Sequence, residues 1–202
     1  MRPARRRGSR VWRLLLFLVV PAAAIAVWLL VGEGRTNDPP AAAVGAALLQ
    51  RALSDGTRPM TKGRTAAAVT ISAVSFSMAG AAVSRFRQSG TTLEPVHPDR
   101  ASALVTNGAN SISRNPMYLG LGGMLLGHAL WRGSWTALLP LVGFVVFIDR
   151  AQIQAEEAAL REKFGAAYVT YQAATPRWID RRSLAALSQQ LPRKQATVIG
   201  RQ

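Results

Sequence analysis

The chain has 202 residues, about one domain by length, with a formal charge of +15, 49% hydrophobic residues and no cysteine. The cysteine count excludes a disulfide framework and a thiolate nucleophile, and the two histidines, His97 and His128, stand far apart without acidic ligands nearby, so no metal site is expected. The charge does not indicate nucleic acid: no RNA-binding motif is present, no aromatics interleave the basic runs, and the apolar residues come in membrane-like blocks.

The first block is Val11–Val31, broken only by Arg13 and preceded by MRPARRRGSR. It is too long for a signal-peptide core, and GEGRTNDPP offers no clean cleavage site, so a retained span is expected. Ala41–Leu53 is apolar but short, and reads as an interfacial or loop helix within an external segment 32–64. Ala66–Val83, rich in Ala and Ser, is the second span. Met117–Trp131 and Trp135–Ile148 are the third and fourth, joined by a tight external hairpin at Arg132-Gly133-Ser134. Arginines before the first span and basic residues after the last place both termini in the cytoplasm, with the chain multi-pass in the inner membrane. The expected fold is therefore an all-α polytopic membrane protein with about four transmembrane helices and a cytoplasmic C-terminal amphipathic helical extension. Its regions are membrane spans with an external loop over 1–84, the site-bearing region over 85–179 and a basic polar tail over 180–202. Segments 85–115 and 150–202 share the cytoplasmic face, and a site belongs between them.

At the mouth of the third span, Asn115 suits a helix N-cap and Pro116 suits the first helical position. The helix then begins at Pro116 with its positive dipole end toward the cytoplasm, an anion site to which Arg114 adds a bidentate donor. Tyr118 sits at interface depth, and Gly120, Gly122 and Gly123 remove side chains from the first turns. The plain alternative is a positive-inside anchor followed by glycines that pack helices. Upstream, Leu104–Gly108 is an apolar extended stretch entering an Asn-Gly turn, either a backbone platform for a flat ring or an ordinary turn.

The fourth span carries Pro140, an expected kink, and nothing breaks its helix before Gly165. Beyond the membrane the apolar stripe runs Ile153, Leu160, Phe164, and the positions that fill it between Ile153 and Leu160 are Glu156 and Glu157. Acids on an inward face are costly unless a cation meets them. A pairing of Glu157 with Arg161 on a wet face accounts for one of them only. Thr175–Ile179 reads as an amphipathic return to the membrane surface, with Arg177 and Trp178 suited to that interface.

In order and spacing, TTLEP (Thr91–Pro95), LVTNG, SRNPMYLG (Ser113–Gly120), EEAALREKFGAAYVTYQ (Glu156–Gln172) and PRWI (Pro176–Ile179) resemble the isoprenylcysteine carboxyl methyltransferase family and its small bacterial membrane relatives. The resemblance covers the C-terminal half. It implies S-adenosylmethionine as cofactor, held by Leu104, Val105, Thr106, Gly108, Arg114, Asn115, Pro116, Tyr118, Gly120, Glu156 and Glu157. It departs from the family's pattern at Asn115, where His is frequent, and at Asn110, where an aromatic is common.

The implied reaction is methyl transfer to a membrane-embedded, lipid-like or carboxylate acceptor, with membrane lipids as the other partner and neither metal nor nucleic acid. No general base is evident, and His128 reads as a helix-packing group. A non-catalytic membrane scaffold and a nicotinamide-dependent membrane reductase are the alternatives.

Overall fold

The computed structural model describes residues 39–54, 59–88 and 103–190. The run Val11–Val31, the motif Thr91–Pro95, His97 and the tail beyond residue 190 lie outside them. Among the described residues there is no strand. The helices are α1 (Pro39–Leu53), α2 (Lys62–Gln88), α3 (Ala109–Ile112), α4 (Pro116–Arg132), α5 (Leu138–Phe147), α6 (Gln154–Ala174) and α7 (Arg181–Gln190). A 3-10 turn at Trp135–Ala137 leads into α5, and a π turn at Ile148–Ile153 joins α5 to α6. Among the described residues two stretches are long and apolar enough to cross a membrane, Lys62–Arg85 and the continuous helix from Trp135.

Among the described helices the α2–α4 contact is the most extensive and follows from small residues on both faces. A side-chain carbon on Gly120 would come within 2.7 Å of the Ser75 carbonyl and 2.8 Å of the Ala79 methyl. One on Gly127 would lie 2.9 Å from the Ala68 carbonyl, and one on Gly123 would collide with the Ser75 hydroxyl. Small residues let helix backbones approach closely, the usual means of holding helices together in lipid. Gly120, expected at the cofactor site, thus faces α2.

The helix over Ala41–Leu53, expected as an interfacial or loop helix, packs into the core of the bundle. Ala43, Ala46 and Ala47 share one core with Tyr118, Leu121, Met124, Leu125, Phe144, Ile148 and Ile153. Gln50, fully buried, donates to the carbonyls of Leu125 at 3.0 Å and Ala137 at 2.8 Å. Its side-chain oxygen meets His128 Nδ1 at 2.7 Å. Its length left it out of the expected bundle, and its packing through alanines and one glutamine carries no strong hydropathy signal. His128 is the helix-packing group the sequence suggests.

Pro140 lies in the first turn of α5, where the missing N–H is tolerated. The irregularity of this segment sits instead at the π turn, a feature frequent at functional sites. Gly165 ends regular helix as expected: at φ 49° and ψ −124° it leaves helical geometry in the middle of α6. Gly133, at φ 65°, closes α4 in the left-handed conformation that favours glycine.

Candidate active site at the mouth of α4

The polar residues gather at one end of the bundle, where α4 begins and the π turn leads into α6. Leu104–Thr106 carries no regular secondary structure, and Asn107-Gly108 turns into α3. Gly108, at φ 63°, takes a backbone form closed to other residues, and a Cβ there would meet the Arg85 side chain at 3.2 Å. Val105 is buried and its carbonyl accepts from Asn110 Nδ2 at 3.0 Å, whereas Thr106 is exposed. The Asn110 carbonyl in turn accepts from the Tyr171 hydroxyl at 2.6 Å.

α4 starts where the sequence places it, with Asn115 at the N-cap and Pro116 at N1. Asn115 does not cap with its side chain: its Nδ2 donates to the Arg177 carbonyl at 3.1 Å. Ser113 Oγ donates to the same carbonyl at 2.9 Å, and the Arg114 amide donates to the Pro176 carbonyl at 2.8 Å. The segment after α6 is therefore strapped across the helix mouth.

Arg114 and Glu157 meet at 2.7 Å, 43 residues apart in sequence, with side chains 11% and 9% exposed. The other terminal nitrogen of Arg114 donates to the carbonyls of Thr175 at 2.6 Å and Gln172 at 3.2 Å. The fork expected to clamp a ligand carboxylate is thus engaged by the protein. Glu157 also receives Arg177, at 2.6 Å and 3.0 Å, rather than Arg161, which donates to Gln172 instead. Arg177 goes on to Asp149 at 3.2 Å, and Trp178 Nε1 donates to the same carboxylate at 2.9 Å. Arg177 and Trp178, expected as interface residues, are parts of this buried-acid network. Nothing in their local sequence marks them, because their partners lie 20 to 29 residues away.

Glu156 takes the other direction. Its carboxylate accepts from the Tyr118 hydroxyl at 2.5 Å and from Gln152 at 2.7 Å, both neutral donors. The apolar run of α5 ends at Ile148, before Asp149-Arg150, so both glutamates stand beyond it. Burial pushes the Glu156 pKa up to about 7, tempered by the bonds from Tyr118 and Gln152 and reinforced by the charge of Glu157. Burial also acts to raise Glu157, but the hydrogen bonds from Arg177 and Arg114 outweigh it and hold the carboxyl below its ordinary range. Hydrogen bonding to Glu157 raises the Arg177 guanidinium above its ordinary value. Tyr168, 1% exposed, packs edge-on against Tyr171 with ring centres 6.1 Å apart. Its hydroxyl is pushed up to about 12 by burial and then by the charge of Glu157.

Two buried polar atoms here, Asn110 Oδ1 and Arg114 Nε, find no hydrogen-bond partner among the described residues. No group of three or more His, Asp or Glu residues that could hold a metal ion occurs among them either.

The family model for phospholipid methyltransferase matches residues 64–167, from the first turn of α2 into the second half of α6. The chain belongs to the phospholipid methyltransferase family. An uncharacterized protein of Haemophilus influenzae is 40% identical over 63 residues, which cover 31% of this chain and all of that relative. No solved structure matches. As a phospholipid methyltransferase family member, the chain carries a methyltransferase site in a membrane-associated helical fold. The matched stretch contains Arg114, Tyr118, Glu156 and Glu157 but ends before the Thr175–Trp178 strap that supplies Arg177.

Proposed function

We propose that this chain transfers a methyl group from S-adenosylmethionine to a lipid-like or carboxylate acceptor that arrives through the bilayer. In this reading α1, α2, α4 and α5 cross the inner membrane, and the mouth of α4 opens on its cytoplasmic side, where the exposed arginines concentrate. The observation that carries the reading is a set of unlike polar groups at one end of the bundle, two of them buried without a partner. Among the described residues Arg114 Nε is a buried donor and Asn110 Oδ1 a buried acceptor, both without a partner, and Glu156 is a half-buried acid met by the neutral donors Tyr118 and Gln152. A zwitterion with a carboxylate, an ammonium and a sulfonium suits that set, with Leu104–Gly108 and the Asn115-Pro116 helix mouth forming the adjoining walls.

When bound, S-adenosylmethionine supplies an electrophilic methyl on its sulfonium. The chain's contribution is alignment and exclusion of water. Glu156 provides negative charge toward a cation, Tyr118 and Gln152 fix its orientation, and the Arg114–Glu157–Arg177–Asp149 network holds the walls in register. A carboxylate acceptor needs no proton removed, so this reading calls for no general base.

Calorimetric titration of the purified protein in detergent with S-adenosylmethionine tests the reading, followed by transfer of labelled methyl into extracted lipids. Saturable binding is expected, reduced at least tenfold by Arg114→Ala. Absence of heat with wild-type protein that melts cooperatively would leave the scaffold alternative standing, and a response to a nicotinamide cofactor would favour the reductase.

A further inference from the structure

The ten residues of α7 belong to the region that reads as a loose basic tail, yet they form a helix with one face fastened and another bare. Ser183, fully buried, donates its hydroxyl to the Ile112 carbonyl at 2.6 Å. On the adjoining face Leu184 and Leu187, one turn apart, are 65% and 43% exposed, and Ile179 just before the helix is 59% exposed. Arg181, three residues before Leu184, is exposed on the same side of the helix.

The anchoring point limits how far α7 can stand from the bilayer. Ile112 is four residues before Pro116, where the apolar helix begins, a reach of at most about 14 Å. Among the described residues the charge of this end is one-sided: Arg85, Arg87, Arg150, Arg161, Lys163, Arg181 and Arg182 are exposed here, against the exposed acids Glu162 and Asp180. A helix with an apolar ridge, an arginine beside it and a basic surround complements an anionic lipid surface.

We infer that α7 lies in the plane of the cytoplasmic leaflet, with Leu184, Leu187 and Ile179 in the headgroup–acyl boundary and Arg181 reaching up to lipid phosphates. The inference needs neither cofactor nor acceptor, but it rests on the proposed crossing of the bundle with the α4 mouth on the cytoplasmic side.

The chain contains no cysteine, so a single introduced thiol can be labelled without removing any other. Leu184→Cys, Leu187→Cys and Gln189→Cys would each be made in the full chain and labelled with an environment-sensitive fluorophore. Each would be placed in nanodiscs of phosphatidylcholine alone or with phosphatidylglycerol. Nitroxides carried on lipid should quench labels at 184 and 187, and aqueous iodide should reach them several-fold more slowly than the label at 189. Phosphatidylglycerol should deepen the lipid quenching, and Arg181→Gln should remove that dependence. Equal iodide access at 184 and 189 would overturn the inference. So would a label at 184 shielded from both quenchers, which would assign the face to a protein partner or a second copy.

Discussion

Glu156 and Glu157 are neighbours in sequence and opposites in surroundings. Glu157 is ion-paired twice, so its contribution to stability is present above the ordinary carboxylate range and is lost as pH falls through its lowered pKa. Glu156 has the reverse sign. Its pKa rises from 4.5 to about 7 on folding, so the native chain binds more protons between those values and loses stability as pH rises across them. Above about pH 7 the site holds an anion there, and below it a neutral acid. Binding of S-adenosylmethionine through Glu156 should therefore strengthen as pH rises toward 7, approaching tenfold per unit well below it, and then level off. Glu156→Gln should bind weakly with no pH dependence across that window. Calorimetry between pH 5.5 and 8.5 measures both, and a wild-type affinity flat over that range would remove Glu156 from the binding set. Arg114 and the two glutamates were legible in the sequence because each violates its local pattern, a cation at a helix mouth and acids on an inward stripe. Asp149 and Arg177 were not, because a charge at a membrane edge is unremarkable until its partner is known.

Helix ends were legible for the same local reason. Pro116 begins α4 at its first position and Gly165 interrupts α6 at a positive φ that favours glycine. What a helix packs against was not, since that depends on a second helix. Gly120, Gly122 and Gly123 look equivalent in sequence, yet Gly120 and Gly123 meet α2 whereas a Cβ on Gly122 would come only to 3.9 Å from Val145. Gly120→Ala forces a methyl against the Ser75 carbonyl and Ala79, an overpacking that costs about 1–3 kcal/mol. Gly122→Ala adds a helix-favouring residue without a clash and should stabilise by about 0.5–1 kcal/mol. Thermal unfolding in detergent should therefore separate the two variants in opposite directions from wild type. If both lower the melting temperature alike, the tight α2–α4 contact is not what the glycines serve.

At the scale of the whole molecule, α1 changes how many times the chain traverses the bundle. Its Leu53 end is tied to the hairpin: Thr136 Oγ1 donates to the Leu53 carbonyl at 2.6 Å, and Arg132 Nε donates to Ser54 Oγ at 2.8 Å. Its alanines run back along α4 and α5 into the core that holds Tyr118 and Ile153, so Pro39 points toward the end where α4 begins. At 15 residues it spans about 22 Å, short of a hydrocarbon core, which is why hydropathy leaves it out of the count. Leu48, Leu49 and Leu53, each about half exposed, form an outward apolar ridge suited to lipid, while Gln50 is satisfied inside. α2 then starts at the hairpin end, where Arg64 lies against Gly133, and returns to the site end, where Arg85 lies against Gly108. If these helices cross the membrane, Lys62 and Gln189 occupy opposite sides of it. Single cysteines at those two positions, in sealed vesicles treated with a membrane-impermeant maleimide, should show one labelled before lysis and the other only after. Labelling of both from the same side would mean that α2, and with it α1, does not traverse the bilayer. The site end would then need to face the membrane in some other way than through a bundle that crosses it.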